Sequence, residues 1–397
     1  MHAAPKEILQ RFLRVRATTE ALCAPLSAED QQIQSMALCS PAKWHRAHTT
    51  WFFETFVLLP VGLSPYDNRF GRLFNSYYDG VGDRIARGQR GLLSRPSSVE
   101  VAAYRRAVDG RVIEVLESIE QRGLSRLLAT MELGLAHEEQ HQELILTDAL
   151  HALSLNPLLP AYRPAQPRAT SSTPPTRWVS FTPGVIDIGA KPGGFSFDNE
   201  RPRHRVYLEP YELATRPVSV REVKEFILAR GYKTPSLWLS AGYEIAQAED
   251  SQAPLYAAFE DGLYRTFSLG GVVEPHDDDP ACFLSFFEAD AIARFLGARL
   301  STEAEWEHAA ESPSEGMTTL FGDVWQWTRS SYEPYPGFTP DAGVVGEYNG
   351  KFMAQQMVLR GGSCFTPCGH VRASYRNFWP PETRHQMAGV RLARDVR

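Results

Sequence analysis

The segment "GLAHEEQHQELIL", Gly134 to Leu146, decides how this chain is read. It contains H-E-x-x-H as His137, Glu138 and His141, the helix pattern of zinc peptidases. Each helical residue advances about 100°, so His137, Gln140, His141 and Leu144 share one face while Glu138, Glu139, Gln142 and Glu143 point elsewhere. Imidazoles at i and i+4 sit one above the other and can hold a single ion. The same string also fits a solvated Glu/Gln/His surface, and the segment alone leaves both readings open.

A second histidine helix lies upstream. It starts at Ser40 with Pro41 at its first position and runs through "KWHRAHTTWFFETFVLL" to Pro60. Trp44, His48, Trp51, Phe52 and Thr55 form one stripe, which puts His48 on the aromatic, core-facing side; His45 projects elsewhere and can be solvated. Apolar spacing predicts two further helices, "PKEILQRFLRVRATTEALCAPL" and "SVEVAAYRRAVDGRVIEVLESI", beside "LSRLLATMELGLAHEEQHQELILTDALHAL". Four long helices suggest an antiparallel bundle, and bundle cores are where facing helices assemble metal sites.

His48, His137 and His141 would supply three imidazoles and no carboxylate, leaving coordination positions open for water, dioxygen and substrate. A zinc peptidase instead needs Glu138 beside the metal-bound water and usually takes its third ligand from downstream. His151, the downstream candidate, would project far along the same rod. Three neutral imidazoles suit zinc, iron and copper alike.

Residues 1–158 thus read as a helical domain, 159–177 as a Pro/Ser/Thr-rich linker, and 178–397 as irregular α+β structure with short aromatic-rich segments. Two helices stand out there, "SVREVKEFILARG" and "TEAEWEHAA", the latter opening with Thr302 and Glu305 in capping-box spacing. The 397 residues are 43% hydrophobic and 22% charged, an ordinary globular balance, and a net charge of -6 offers no basic field for nucleic acid. Five cysteines are too few and too odd for a disulfide framework. The N-terminus lacks a signal-peptide core and no apolar run approaches the roughly 20 residues of a bilayer span, so a cytoplasmic protein without membrane contact is expected. A monomer is expected, since both domains look self-contained.

The chain resembles the ergothioneine-biosynthetic sulfoxide synthases over nearly its whole length. The likeness rests on "SPAKWHRAHTTWFFETF", "LFNSYYDGVGDR" with "RGLLSRP", "HEEQHQELIL", "DNERPRHRVYLEPYELATRPV", "GARLSTEAEWEHAA", "YNGKFM", and "VLRGGSCFTP" followed by "VRASYRNFWPPETRHQMAGVRLAR". It implies a multidomain fold: an N-terminal DinB-like four-helix bundle followed by a C-terminal formylglycine-generating-enzyme-like, C-type-lectin-like α+β domain. It further implies a nonheme Fe(II) held by His48, His137 and His141, with dioxygen as co-substrate and hercynine and a thiol as small-molecule partners. Gln140 matches a hercynine contact, and Asn377, Phe378 and Trp379 match the hercynine-binding segment, where an aromatic face suits a trimethylammonium group. Tyr77 and Tyr78 match a tyrosine pair that supplies protons during oxygen activation in one branch. Arg87 and Arg90 are candidates for the carboxylate of the sulfur donor.

The chain also departs from the family pattern. Trp379 stands where the γ-glutamylcysteine branch has aspartate, which favours free cysteine or another donor. The related selenoneine synthases join hercynine to a selenosugar on the same architecture, so a selenol donor is the alternative. "GDVWQW" replaces "GNVWEW", which puts a structural calcium in doubt. Phe283 to Phe287 reads as a buried strand stripped of polar groups, and Cys364 and Cys368 as small packed residues. A DinB-type zinc-dependent thiol transferase remains the competing enzyme class.

Overall fold

In the first stretch, Ile8, Phe12, Val15, Thr19 and Cys23 recur at helical spacing and form the buried stripe of α1, Pro5–Cys23. The computed structural model describes residues 5–118, 124–165, 175–312, 316–341, 346 and 349–396. Every residue of α2, Ala42–Phe53, is buried, so this helix occupies the centre of its unit. Pro41 serves as its N-cap, not its first helical residue. The helix continues as a π-helical turn over Glu54–Leu58 and a 3₁₀ turn over Leu59–Val61, and stops at Gly62, whose φ of 88° suits glycine. A short α3, Phe70–Phe74, precedes the long helices α4, Ser98–Ser118, and α5, Leu124–Ser154.

Helix α1 packs on α5, and α2 packs on both α4 and α5, giving the four-helix bundle. Gly134 permits the close approach of α5 to α2: a Cβ there would lie 2.8 Å from ring carbons of both Phe52 and Phe53. The interior is also charged. Glu138 accepts from Arg16 Nη1 at 2.9 Å, from Arg105 Nη2 and from Thr19 Oγ1 at 2.6 Å, while Arg16 Nε donates to Asp109 Oδ1 at 2.7 Å. Burial alone would raise the Glu138 pKa, but the Arg105 and Arg16 charges outweigh it and hold the carboxylate down at about 2. Two cations on different helices thereby fix how α5 is rotated about its axis.

The chain divides into two compact units. The first comprises residues 1–163 with 192–197 and 340–348; the second comprises 164–191, 198–339 and 349–397. Residues 166–174 of the expected linker lie outside the described residues. The second unit is α+β. One four-stranded sheet runs in the order Trp178–Phe181, Tyr211–Ala214, Leu392–Asp395, Arg299–Leu300. Another runs Asn377–Trp379, Met357–Arg360, Trp325–Ser331, Ala388–Gly389, its last pairing parallel. Gly184–Ile188 pairs with His204–Leu208 as an antiparallel hairpin. Among the described residues no helix is long and apolar enough to cross a membrane.

Two expectations fail in this unit. Phe283 to Phe287 is not a strand: Ser285 caps the helix Phe286–Phe295 in a capping box with Glu288. The S-x-x-E spacing was legible, but the surrounding phenylalanines suggested β-structure. Ser240–Ala248 is a second helix beyond the two expected. Cys364 and Cys368 are exposed, not packed: Cys364 lies in the turn in which Thr366 N–H donates to the Ser363 carbonyl, and Cys368 in the next, in which His370 N–H donates to the Pro367 carbonyl.

Candidate metal centre

Helix α2 contributes His48 and helix α5 contributes His137 and His141 to one buried cluster whose potential ligand atoms all lie within 4.8 Å of one another. His48 and His137 are fully buried, which excludes a solvated helix face. The Nε2 atoms of His48 and His137 are 3.2 Å apart. Two nitrogens bound to one ion at about 2.1 Å and a right angle would be about 3.0 Å apart, so the pair is spaced for one ion. His48 Nδ1 lies 2.6 Å from the Phe74 carbonyl, which can only accept; Nδ1 therefore carries the proton and Nε2 the lone pair.

Burial holds all three rings neutral, the state that binds metal. It lowers His137 to about 3, and it drives His48 and His141 well below the ordinary value, with neighbouring imidazoles adding to the effect. The donor set therefore fits a divalent transition metal. Trp44 stacks on His48 at 4.5 Å and 13°, and Trp51 lies on its other side at 5.5 Å and 16°, so two indoles clamp the ring.

His45, expected to be solvated, is 2% exposed. Its Nδ1 lies 2.7 Å from His141 Nδ1 and its Nε2 lies 2.9 Å from Asp148 Oδ2, which also accepts from Ser40 N–H at 2.8 Å. The helical wheel placed His45 off the metal stripe correctly, but α5 covers that side as well. Asp148 stands seven residues after His141, two turns along the same face, and that spacing could have revealed it. Glu138, by contrast, is fully engaged with Arg16, Arg105 and Thr19 and has no role as a peptidase base here.

Arg90 is buried and donates to Ser40 Oγ at 2.9 Å and Ser76 Oγ at 2.8 Å, with its guanidinium 3.5 Å from the Trp44 ring. Among the described residues it has no carboxylate partner, and its Nε has no acceptor. Burial, then repulsion from Arg87, pushes its pKa down to about 9, with Tyr77 and Asp148 opposing the shift. Arg87 is half-buried and donates to the Leu38 carbonyl. Tyr78 is buried with its ring 5.7 Å from Trp51 and 5.1 Å from Phe56, and Tyr77 lies against it at 4.8 Å. Gln140 is half-buried on α5.

Asn377, Phe378 and Trp379 belong to the second unit and form an edge strand. Phe378 stacks on Tyr332 at 3.9 Å and 11°, and Trp379 meets His385 edge-on at 5.3 Å. The preceding residue anchors the strand: Arg376 Nε and Nη2 donate to Glu303 at 2.9 and 3.0 Å, and Nη1 donates to the Asn199 carbonyl at 2.9 Å.

A helical bundle with a buried three-histidine centre, joined to an α+β domain, defines the class of protein. Residues 11–145 match the DinB superfamily, and residues 164–318 and 311–396 match the sulfatase-modifying factor enzyme 1-like domain. Hercynine oxygenase of Mycolicibacterium thermoresistibile is 30% identical over 411 residues, covering 90% of this chain and 88% of that protein. Hercynine oxygenase of Mycobacterium tuberculosis is 28% identical over 437 residues, covering 99% of this chain and 100% of its own. Ergothioneine biosynthesis protein 1 of Schizosaccharomyces pombe is 24% identical over 222 residues, 51% of this chain and 28% of that protein. The chain belongs to the hercynine oxygenase family.

Proposed function

We propose that this chain is a hercynine oxygenase that joins a sulfur donor to C2 of the hercynine imidazole and leaves a sulfoxide. The observation that carries the reading is the neutral three-imidazole cluster of His48, His137 and His141, in a chain aligned with hercynine oxygenases over nearly its full length. The overall change balances: the C2–H and S–H bonds break, a C–S bond forms, one oxygen atom of O2 ends on sulfur and the other leaves as water. Fe(II) is the metal that the reading places on these histidines, where it would supply the capacity to activate dioxygen.

The chain's own groups serve the remaining needs. Arg90 offers a buried guanidinium, held by Ser40 and Ser76, to the carboxylate of an amino-acid thiol, which favours cysteine over a sugar donor. Tyr77 and Tyr78 offer phenolic protons beside the His48 clamp. Gln140, with Asn377, Phe378 and Trp379, is assigned to hercynine, and Arg87 assists Arg90. The reading includes a monomeric cytoplasmic enzyme acting on small molecules.

One specific departure favours a second reading. Trp379, in place of the aspartate of the γ-glutamylcysteine branch, favours another donor, and a selenosugar is the alternative to cysteine. The deciding experiment incubates the iron-loaded chain with hercynine and, separately, cysteine, γ-glutamylcysteine and a selenosugar, with oxygen uptake and product mass recorded. Sulfoxide with cysteine and stoichiometric oxygen uptake is expected. Product only with the selenosugar would establish the second reading, and turnover with zinc under strict anaerobiosis would establish a thiol transferase instead.

A further inference from the structure

We infer that His45 and Asp148 are positioning residues that fix His141 as an Nε2 ligand. The inference rests on the reading of the three histidines as a metal centre and goes beyond it by assigning two residues outside the cluster.

The chain of hydrogen bonds admits one consistent set of protons. Asp148 Oδ2 faces His45 Nε2 at 2.9 Å and also receives the Ser40 N–H at 2.8 Å. A carboxylate accepts, so His45 Nε2 carries its ring proton. An imidazole whose one proton sits on Nε2 offers its lone pair at Nδ1, so Nδ1 is an acceptor. His141 Nδ1, 2.7 Å away, must then donate, which leaves the His141 lone pair on Nε2. His48 reaches the same tautomer through the Phe74 carbonyl. Metal-bound histidines commonly pass their second N–H to a carboxylate, which orients the ring and raises its basicity. Here that device is extended by one imidazole, with Asp148 acting on His141 through His45.

The Asp148 carboxylate also spans elements. It sits on α5 with its ligand His141, while Ser40 and His45 belong to the entry and first turn of α2. The same contact therefore sets the register of the two ligand-bearing helices at the end of α2 opposite Gly134.

Co(II) titration of the metal-free chain, followed by its d–d absorption, tests this. Asp148→Asn is nearly isosteric but can present an N–H to His45 and reverse the proton order; His45→Phe removes the relay at similar volume. Each should weaken Co(II) binding about 10–100-fold while leaving the far-ultraviolet circular dichroism of the metal-free chain unchanged. Ring ¹⁵N spectra of the Zn(II) form should show His141 bound through Nε2 with its proton on Nδ1. Binding of both variants with the parent's affinity, or His141 bound through Nδ1, would overturn the inference. If His45→Phe does not fold, Asp148→Asn and the parent's ring spectra decide. Absence of Co(II) uptake by the parent, or its retention by His48→Ala, would instead remove the metal centre itself and this inference with it.

Discussion

His48 Nε2 and His137 Nε2 face each other across 3.2 Å, from helices α2 and α5 whose sequences are separated by 89 positions. His48 Nδ1 is committed to the Phe74 carbonyl, so the interaction at Nε2 is either one shared proton or one shared cation. His141 completes the cluster from one turn further along α5.

Replacing any one of these rings should abolish stoichiometric metal. His48→Ala also leaves the space between Trp44 and Trp51, and a weakened site is expected to lose at least 100-fold in Co(II) affinity, about 2.7 kcal/mol. Metal analysis after dialysis measures it, and hercynine-dependent oxygen uptake should vanish in parallel.

Arg90→Met should act on the sulfur donor alone. A charge-assisted hydrogen bond contributes about 1.5–3 kcal/mol, so KM for cysteine should rise about 10–100-fold with hercynine affinity unchanged. Isothermal titration with hercynine provides the control. Equal weakening toward both substrates would show that Arg90 holds the loop to Ser40 and Ser76 and does not meet the donor.

The tyrosine pair makes a kinetic prediction. Tyr77→Phe combined with Tyr78→Phe keeps both rings against Trp51 and Phe56 but removes both phenols. Sulfoxide formation should slow about 10²–10⁴-fold, the usual share of a positioned proton donor, with Co(II) affinity unaltered. Rates within a factor of two of the parent would exclude a proton-transfer role.

Stability in acid should depend on Glu303. Burial opposes its ionisation, but Arg376 and Arg360 outweigh burial and hold its pKa below the ordinary 4.5. The folded state therefore binds this proton more weakly than the unfolded chain. The stability it contributes is complete above pH about 4.5 and is lost as pH falls below that value. Glu303→Gln should cost about 3–5 kcal/mol at pH 7, because buried Arg376 loses its carboxylate and buried Arg360 is left with Glu307 alone. It should also reduce the slope of stability against pH below 4.5 by up to about 1.4 kcal/mol per pH unit. Urea unfolding at pH 7 and pH 4 measures both.

Gly134→Ala probes the helix contact that sets the metal geometry. The added methyl would meet Phe52 and Phe53 at 2.8 Å, one turn before His137. Overpacking of this kind costs about 1–3 kcal/mol, and the shift of α5 should weaken Co(II) binding as well. Parent-like affinity would show that the two rings yield without moving the helix.

Local sequence determined the helices of the bundle, because apolar and polar residues alternate at a period that only a helix can bury on one side. It also determined the shared face of His137 and His141, since i,i+4 spacing needs nothing beyond the helical repeat. It did not determine that the His45 side of α2 is covered, nor that the Glu138 face of α5 is interior. A helical wheel sees one rod, whereas burial on a second side is decided by which helix packs there. Only the tertiary structure brought Asp148 to His45 and Arg16 and Arg105 to Glu138, because a polar side chain inside a protein is stable only where a partner from another element meets it.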